Sequence, residues 1–131
     1  MPVLIDTNVL SDVIHDDPTW RNWAEDQMAA LVGELVINPI IYAELCCRAR
    51  TAGELDQMLA TVGVGYREIP KAALFPAAQA FLSYRRRGGA KTSPLPDFFI
   101  GAHAETEGWR LVTRDPARFR TYFPSVPLIC P

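Results

Sequence analysis

Short runs of apolar, mostly β-branched side chains recur along the chain, and each is stopped by a polar residue. Val3-Leu4-Ile5 ends at Asp6, Leu35-Val36-Ile37 ends at Asn38, and Leu111-Val112-Thr113 follows Arg110 and leads to Arg114-Asp115. Runs of this length without polar alternation predict strands covered on both faces of a parallel sheet. Helical spacing fills the intervals. Trp20, Trp23, Ala24, Gln27, Met28 and Leu31 follow an Asp17-Pro18 start, an N-cap with proline at the first helical position, and run to Gly33. Asn38-Pro39 repeats that start for a helix through Ala43, Cys47 and Arg50, predicted to break near Gly53. The next helix carries Leu55, Met58, Leu59 and Val62 into the Gly63-Val64-Gly65 turn, and a strand is predicted over 66–69 ahead of Pro70.

From Lys71 onward, Leu74, Phe75, Ala78, Phe81 and Leu82 predict the buried face of a long helix. Arg85-Arg86-Arg87-Gly88 closes it, with cations in the last turn and glycine beyond. A loop to Pro96 precedes a helix from Asp97 to Glu107, a strand over 110–113, a helical turn opened by Asp115-Pro116, and an edge strand over 126–129. The alternation predicts an α/β sandwich, with helices over a mostly parallel sheet and right-handed crossovers. Spacing alone leaves the strand order open. At 131 residues the chain is expected to form one domain over 1–131, and no internal repeat interrupts it.

Composition narrows the class. With 49% apolar and 21% charged residues the chain reads as a soluble globular protein. The longest apolar run, from Leu35 to Ala43, is interrupted by Asn38-Pro39 and falls well short of the roughly 18–20 residues of a membrane span. The first residues lack the basic start of a signal peptide, and the three cysteines have no zinc or disulfide spacing, which predicts reduced thiols in the cytoplasm. A net charge of −2 gives no general attraction to nucleic acid, but the halves differ: residues 1–65 carry 3 Lys and Arg against 10 Asp and Glu, and residues 66–131 carry 10 against 5. Folding must bring these oppositely charged halves together.

In parallel sheets ligands bind outside the carboxyl ends of the strands, and four acids are predicted to fall there. Asp6 ends the first strand, Glu44 lies in the first turns of the helix leaving the second, Asp97 opens a helix leading back into the sheet, and Asp115 follows the strand ending at Thr113. Each has a structural alternative. Asp97 and Asp115 suit helix caps, Glu44 can pair with Arg48 at i, i+4, and Asp6 can close an Asx turn with Thr7 and Asn8. Carboxylates gathered without His or Cys suit a hard cation, Mg²⁺ or Mn²⁺, for which a phosphodiester is the natural substrate.

Four stretches, in order along nearly the whole chain, resemble the PIN-domain ribonucleases and, among them, the VapC-type toxins of toxin-antitoxin pairs. They are Leu4-Ile5-Asp6-Thr7-Asn8, Tyr42-Ala43-Glu44-Leu45, Pro96 through Ala104, and Leu111-Val112-Thr113-Arg114-Asp115 with Phe119 and Tyr122-Phe123-Pro124. The resemblance implies a three-layer α/β/α sandwich with sheet order 3-2-1-4-5 and a metal-dependent endoribonuclease. It also implies Asp6, Glu44, Asp97 and Asp115 as catalytic, metal-holding acids, with Thr7 and Thr113 as polar supports. An RNA substrate, a cognate antitoxin and a homodimer follow from the same likeness. Many relatives carry an acid immediately before the phenylalanine that Phe119 matches; Arg118 stands there, which leaves one ion or two open.

Arg85, Arg86, Arg87 and Lys91 are candidates to hold an RNA backbone, against the alternative of a solvated helix end. His15 reads as a loop residue, His103 as facing Glu107, and Trp20, Trp23 and Met28 as core or a partner surface. Two other function classes compete. A phosphoaspartyl hydrolase using Asp6 would need a second acid where Asn8 stands, and a catalytically silent module binding RNA or protein would have no need of all four acids.

Overall fold

A computed structural model describes residues 1–89 and 95–131, and five strands and seven α-helices lie among them. They follow in the order β1 (Val3–Ile5), α1 (Thr7–Ile14), α2 (Arg21–Ala30), β2 (Leu35–Ile37), α3 (Pro39–Cys46), α4 (Ala52–Thr61), β3 (Gly65–Tyr66), α5 (Leu74–Arg86), α6 (Leu95–Glu107), β4 (Arg110–Val112), α7 (Ala117–Tyr122) and β5 (Leu128–Ile129). The sheet is parallel throughout, in the order β3-β2-β1-β4-β5. That is the order the resemblance implied. The strand β1 pairs on both sides, and its Val3, Leu4 and Ile5 have no exposed surface, so helices cover both faces of the central strand.

The main departure from the pattern comes directly after β1. Residues 7–14, to which the pattern assigned no element, form α1, which begins at Thr7 and is capped by Asp6, whose side chain accepts the Thr7 N–H. Its period is hidden because Asp12, a buried position, is polar, neutralised by Arg114 from another part of the chain. Asp17 does organise the next helix, its Oδ1 accepting the Thr19 and Trp20 N–H groups at 2.9 Å each, but as a turn one step ahead of α2. Similarly, α3 stops at Cys46 and Gly53 lies inside α4, because Thr51 caps α4 by accepting the Glu54 N–H. The edge strands β3 and β5 are shorter than predicted, two residues each, while β4 ends one residue early at Val112. Asn38 and Pro39 start α3 as the sequence indicates.

The buried face of α5 also differs. Leu74, Phe75 and Leu82 are 44%, 72% and 45% exposed, whereas Ala73, just ahead of the helix, and Ala77 are fully covered and Phe81 and Tyr84 pack on the core. Small residues at 73 and 77 let α5 approach α6 closely, and burying larger side chains there would hold the helices apart. Phe98 is the centre of this contact. Its ring lies 5.8 Å from Phe81, 5.5 Å from Tyr84, 5.3 Å from Tyr122 and 6.3 Å from Phe123, tying α5, α6 and the end of α7 together. Gly101 in α6 leaves room for the Phe123 ring, which any added Cβ would enter.

His103 in α6 is fully buried and meets Asn38 rather than Glu107, its Nδ1 lying 3.2 Å from the Asn38 amide nitrogen. The ring stacks near Trp109, and Nε2 has no partner among the described residues. Burial pushes its pKa below the usual imidazole range, against an opposing pull from Glu107. Folded His103 therefore stays neutral where the unfolded chain takes up a proton, so this residue costs stability as pH falls through about 6.5. By NMR, the His103 Cε1 proton is expected to titrate with a midpoint below 6.5; a midpoint at 6.5 or above would contradict this burial.

Candidate active site

The centre of the sheet's carboxyl edge is set by β1, because it pairs with β2 on one side and β4 on the other. Asp6 therefore emerges in the middle, 5% exposed. Its Oδ1 accepts the Thr7 N–H at 2.8 Å, and its Oδ2 accepts the Thr113 hydroxyl at 2.8 Å and the Asn8 amide at 3.3 Å. Thr113, one residue beyond β4, also accepts the Asp115 N–H at 3.1 Å, so one hydroxyl fixes Asp6 and the turn carrying Asp115. From the other side, Thr7 donates its hydroxyl to Glu44 Oε1 at 2.6 Å, which links α1 to α3. Glu44 does not use the Arg48 alternative; Arg48 instead lies 3.4 Å from the Ser11 hydroxyl.

Asp97, in the first turn of α6, completes the set. Its Oδ2 accepts from Arg118 Nη1 at 2.8 Å, in an ion pair whose side chains are 30% and 27% exposed. Asp6, Glu44, Asp97 and Asp115 all line one cleft of about 510 Å³, together with Thr7, Asn8 and Phe119. The structure thus brings together four acids from four separate segments, with Thr7 and Thr113 joining Asp6, Glu44 and the Asp115 turn by hydrogen bonds and Asp97 held by Arg118.

Crowding shows in the electrostatics. The Asp6 carboxyl is pushed up to about 7, chiefly by burial, with the Thr113 hydrogen bond opposing and the Asp97 and Glu44 charges adding to the rise. Asp97 is raised as well, by burial first, although the hydrogen bond and charge of Arg118 pull it down and Asp115 pushes it up. Among the described residues no three acidic, His or Cys side chains form a ready-made metal cage. The donor set still fits Mg²⁺ or Mn²⁺, since such ions take oxygen ligands, need few carboxylates and keep several waters. A partly buried group of acids that raises its own proton affinity is an arrangement that a cation relieves.

Two neighbouring features escaped the sequence. Asp12 and Arg114 form a two-pronged ion pair at 2.7 and 3.1 Å, and the Arg114 guanidinium lies 5.8 Å from the Trp20 ring centre. Asp12 among Val9, Leu10 and Val13 was the available signal, a charge on an otherwise apolar helix. The Arg118 bond to Asp97 was the other, visible only as a basic residue at a position where many relatives carry an acid. The arginines at the end of α5 lie elsewhere: Arg85 rests over Phe81, Arg87 over Tyr122, and none of the three lines the acid cleft. Lys91 lies outside the described residues. His15 lies at the cleft wall.

A family model described as PIN domain matches residues 3–123. Among curated proteins, none matches the chain. Similar solved structures include VapBC2 from Rickettsia felis bound to a DNA fragment from its promoter, at 19% identity and TM-score 0.75, covering 99% of this chain and 98% of that one. A toxin-antitoxin complex from Klebsiella pneumoniae has 23% identity and TM-score 0.69, with 95% and 94% covered. FitAcB from Neisseria gonorrhoeae has 19% identity and TM-score 0.69, with 97% and 96% covered. At these identities the likeness is one of fold.

Proposed function

The chain belongs to the PIN domain family, and from that premise we propose that it is a divalent-cation-dependent endoribonuclease, the toxin of a toxin-antitoxin pair. The observation carrying this reading is the convergence of Asp6, Glu44, Asp97 and Asp115 on one cleft at the carboxyl edge of the sheet. These four would hold Mg²⁺ or Mn²⁺. When bound, such an ion lowers the pKa of a water and offsets phosphate charge.

The chain's own residues supply the positioning. Thr113 and the Thr7 N–H fix both oxygens of Asp6, and Thr7 fixes Glu44, so neither acid needs to be ordered when substrate arrives. Asn8 donates to Asp6, which removes the role a second acid would play in phosphoaspartyl chemistry. The silent binding module is disfavoured by the same network, since a surface that only binds anionic RNA gains nothing from buried carboxylates.

The antitoxin partner, the cytoplasmic location and a homodimer belong to the same proposal. The first rests on the toxin-antitoxin complexes among the similar structures, the second on the three cysteines without zinc or disulfide spacing, and the third on the family resemblance. Among the described residues no helix is long and apolar enough to cross a membrane. Purified protein is expected to cut single-stranded or looped RNA with Mg²⁺ or Mn²⁺ and to leave 5′-phosphate ends, while excess chelator stops it. Undiminished cleavage in chelator would overturn the cation requirement, and metal-independent binding without any cleavage would support the silent module.

A further inference from the structure

Arg48 and Arg114 line the acid cleft, and one of its acids is paired with a further cation that stands beside it. Arg118, in the first turn of α7, lies across from α6 and places Nη1 2.8 Å from Asp97 Oδ2. On its other side the guanidinium lies 5.5 Å from the Tyr84 ring centre, and that ring is packed in turn against Phe98 and Tyr122. A flexible side chain at a rim would sample many positions; this one is held between an aromatic face and a carboxylate. Among the described residues, the bond to Asp97 is the one hydrogen bond its guanidinium makes, and the side chain keeps 30% exposure, so further N–H groups remain for an incoming anion.

We propose that Arg118 supplies a fixed positive charge at Asp97: it engages that carboxylate, limits the acid cluster to one divalent cation, and donates to a phosphate oxygen of the RNA backbone. The inference rests on the cation-dependent reading above. Electrostatics and donor geometry support it together. A guanidinium already paired with Asp97 repels a second divalent ion at that carboxylate, and the same planar fork suits a phosphate oxygen. Arg118 is accordingly a positioning residue toward Asp97 and a binding residue toward RNA.

Two measurements separate the halves of the proposal. Calorimetric titration of the folded, metal-free chain with Mn²⁺ is expected to give one ion per chain for the wild type and two for Arg118→Asp, which puts an acid in place of the cation. Independently, binding of a single-stranded RNA oligonucleotide in chelator, where no cleavage occurs, is expected to weaken several-fold in Arg118→Gln. The slope of log affinity against log salt should fall by about 0.7, as for one lost phosphate contact. Arg118→Lys should retain most of that slope, and circular dichroism melts establish that each variant is folded. Two Mn²⁺ ions on the wild type, or an unchanged salt slope in Arg118→Gln, would overturn the inference while leaving the nuclease reading intact. No Mn²⁺ bound to the wild type would overturn the cation reading itself, and this inference with it.

Discussion

Asp6→Asn is expected to reduce RNA cleavage to background and to make the metal-free protein more stable. The two effects have one cause. Asp6 is 5% exposed and faces Asp97 and Glu44, so its charge is expensive until a cation arrives. The unfolded chain loses this proton near pH 4, whereas the folded protein holds it to about pH 7. Each step up in pH across that interval therefore favours unfolding. The deficit is absent below pH 4, complete above pH 7, and at most about 4 kcal/mol.

Asparagine removes the charge but keeps the shape. It gives back part of the gain, because one of the oxygens now bonded by Thr7, Thr113 and Asn8 becomes an amide nitrogen. A net gain of about 1 kcal/mol, or roughly 4 °C in melting temperature at pH 8, is the expected balance. Mn²⁺ at about 100 times its dissociation constant should stabilise the wild type by roughly 2.7 kcal/mol and leave Asp6→Asn almost unmoved. Melts of both proteins with and without Mn²⁺ check this. An equal metal-induced rise in the variant would remove Asp6 from the site.

Phe98→Ala is expected to carry the largest stability loss, about 3–5 kcal/mol in urea denaturation at constant slope. The ring has no exposed surface and packs against two aromatic partners before α6 and two beyond it in sequence. Truncation would leave a cavity that three packed helices cannot close without moving one another. Against a typical total of 5–15 kcal/mol, that loss brings the fold close to its limit. It should also loosen the cleft, since Asp97 precedes Phe98 in the chain and Tyr84 braces Arg118. A folded variant is thus expected to lose activity beyond its loss of stability. A cost under about 1 kcal/mol would mean that this cluster is not the keystone of the α5–α6–α7 contact.

Much of this architecture was written locally. Val3-Leu4-Ile5 and Leu35-Val36-Ile37 announce buried strands because neither run has a polar face to offer water, and Asn38-Pro39 starts a helix through its own hydrogen bond and its own fixed dihedral. The four acids could be placed at the sheet's carboxyl edge for the same reason: Asp6 and Asp115 follow strands, Glu44 lies in the helix leaving one, and Asp97 is in the first turn of a helix that returns to one. Their bond network could not be placed, since the 107-residue separation between Asp6 and Thr113 is closed only when β1 pairs with β4. Helix α1 was hidden because Asp12 is compensated by Arg114, a partner 102 residues away. The buried face of α5 was misread because apolar character alone favours Phe75 and Leu82, whereas the close approach of α6 favours alanine at 73 and 77. Arg118 shows the same division: the sequence marked it as a basic residue where many relatives carry an acid, and only the packing of α7 against α6 made it the partner of Asp97. Local chemistry determined strands, caps and the candidate acids, while their partners were decided by three-dimensional proximity, which no spacing along the chain encodes.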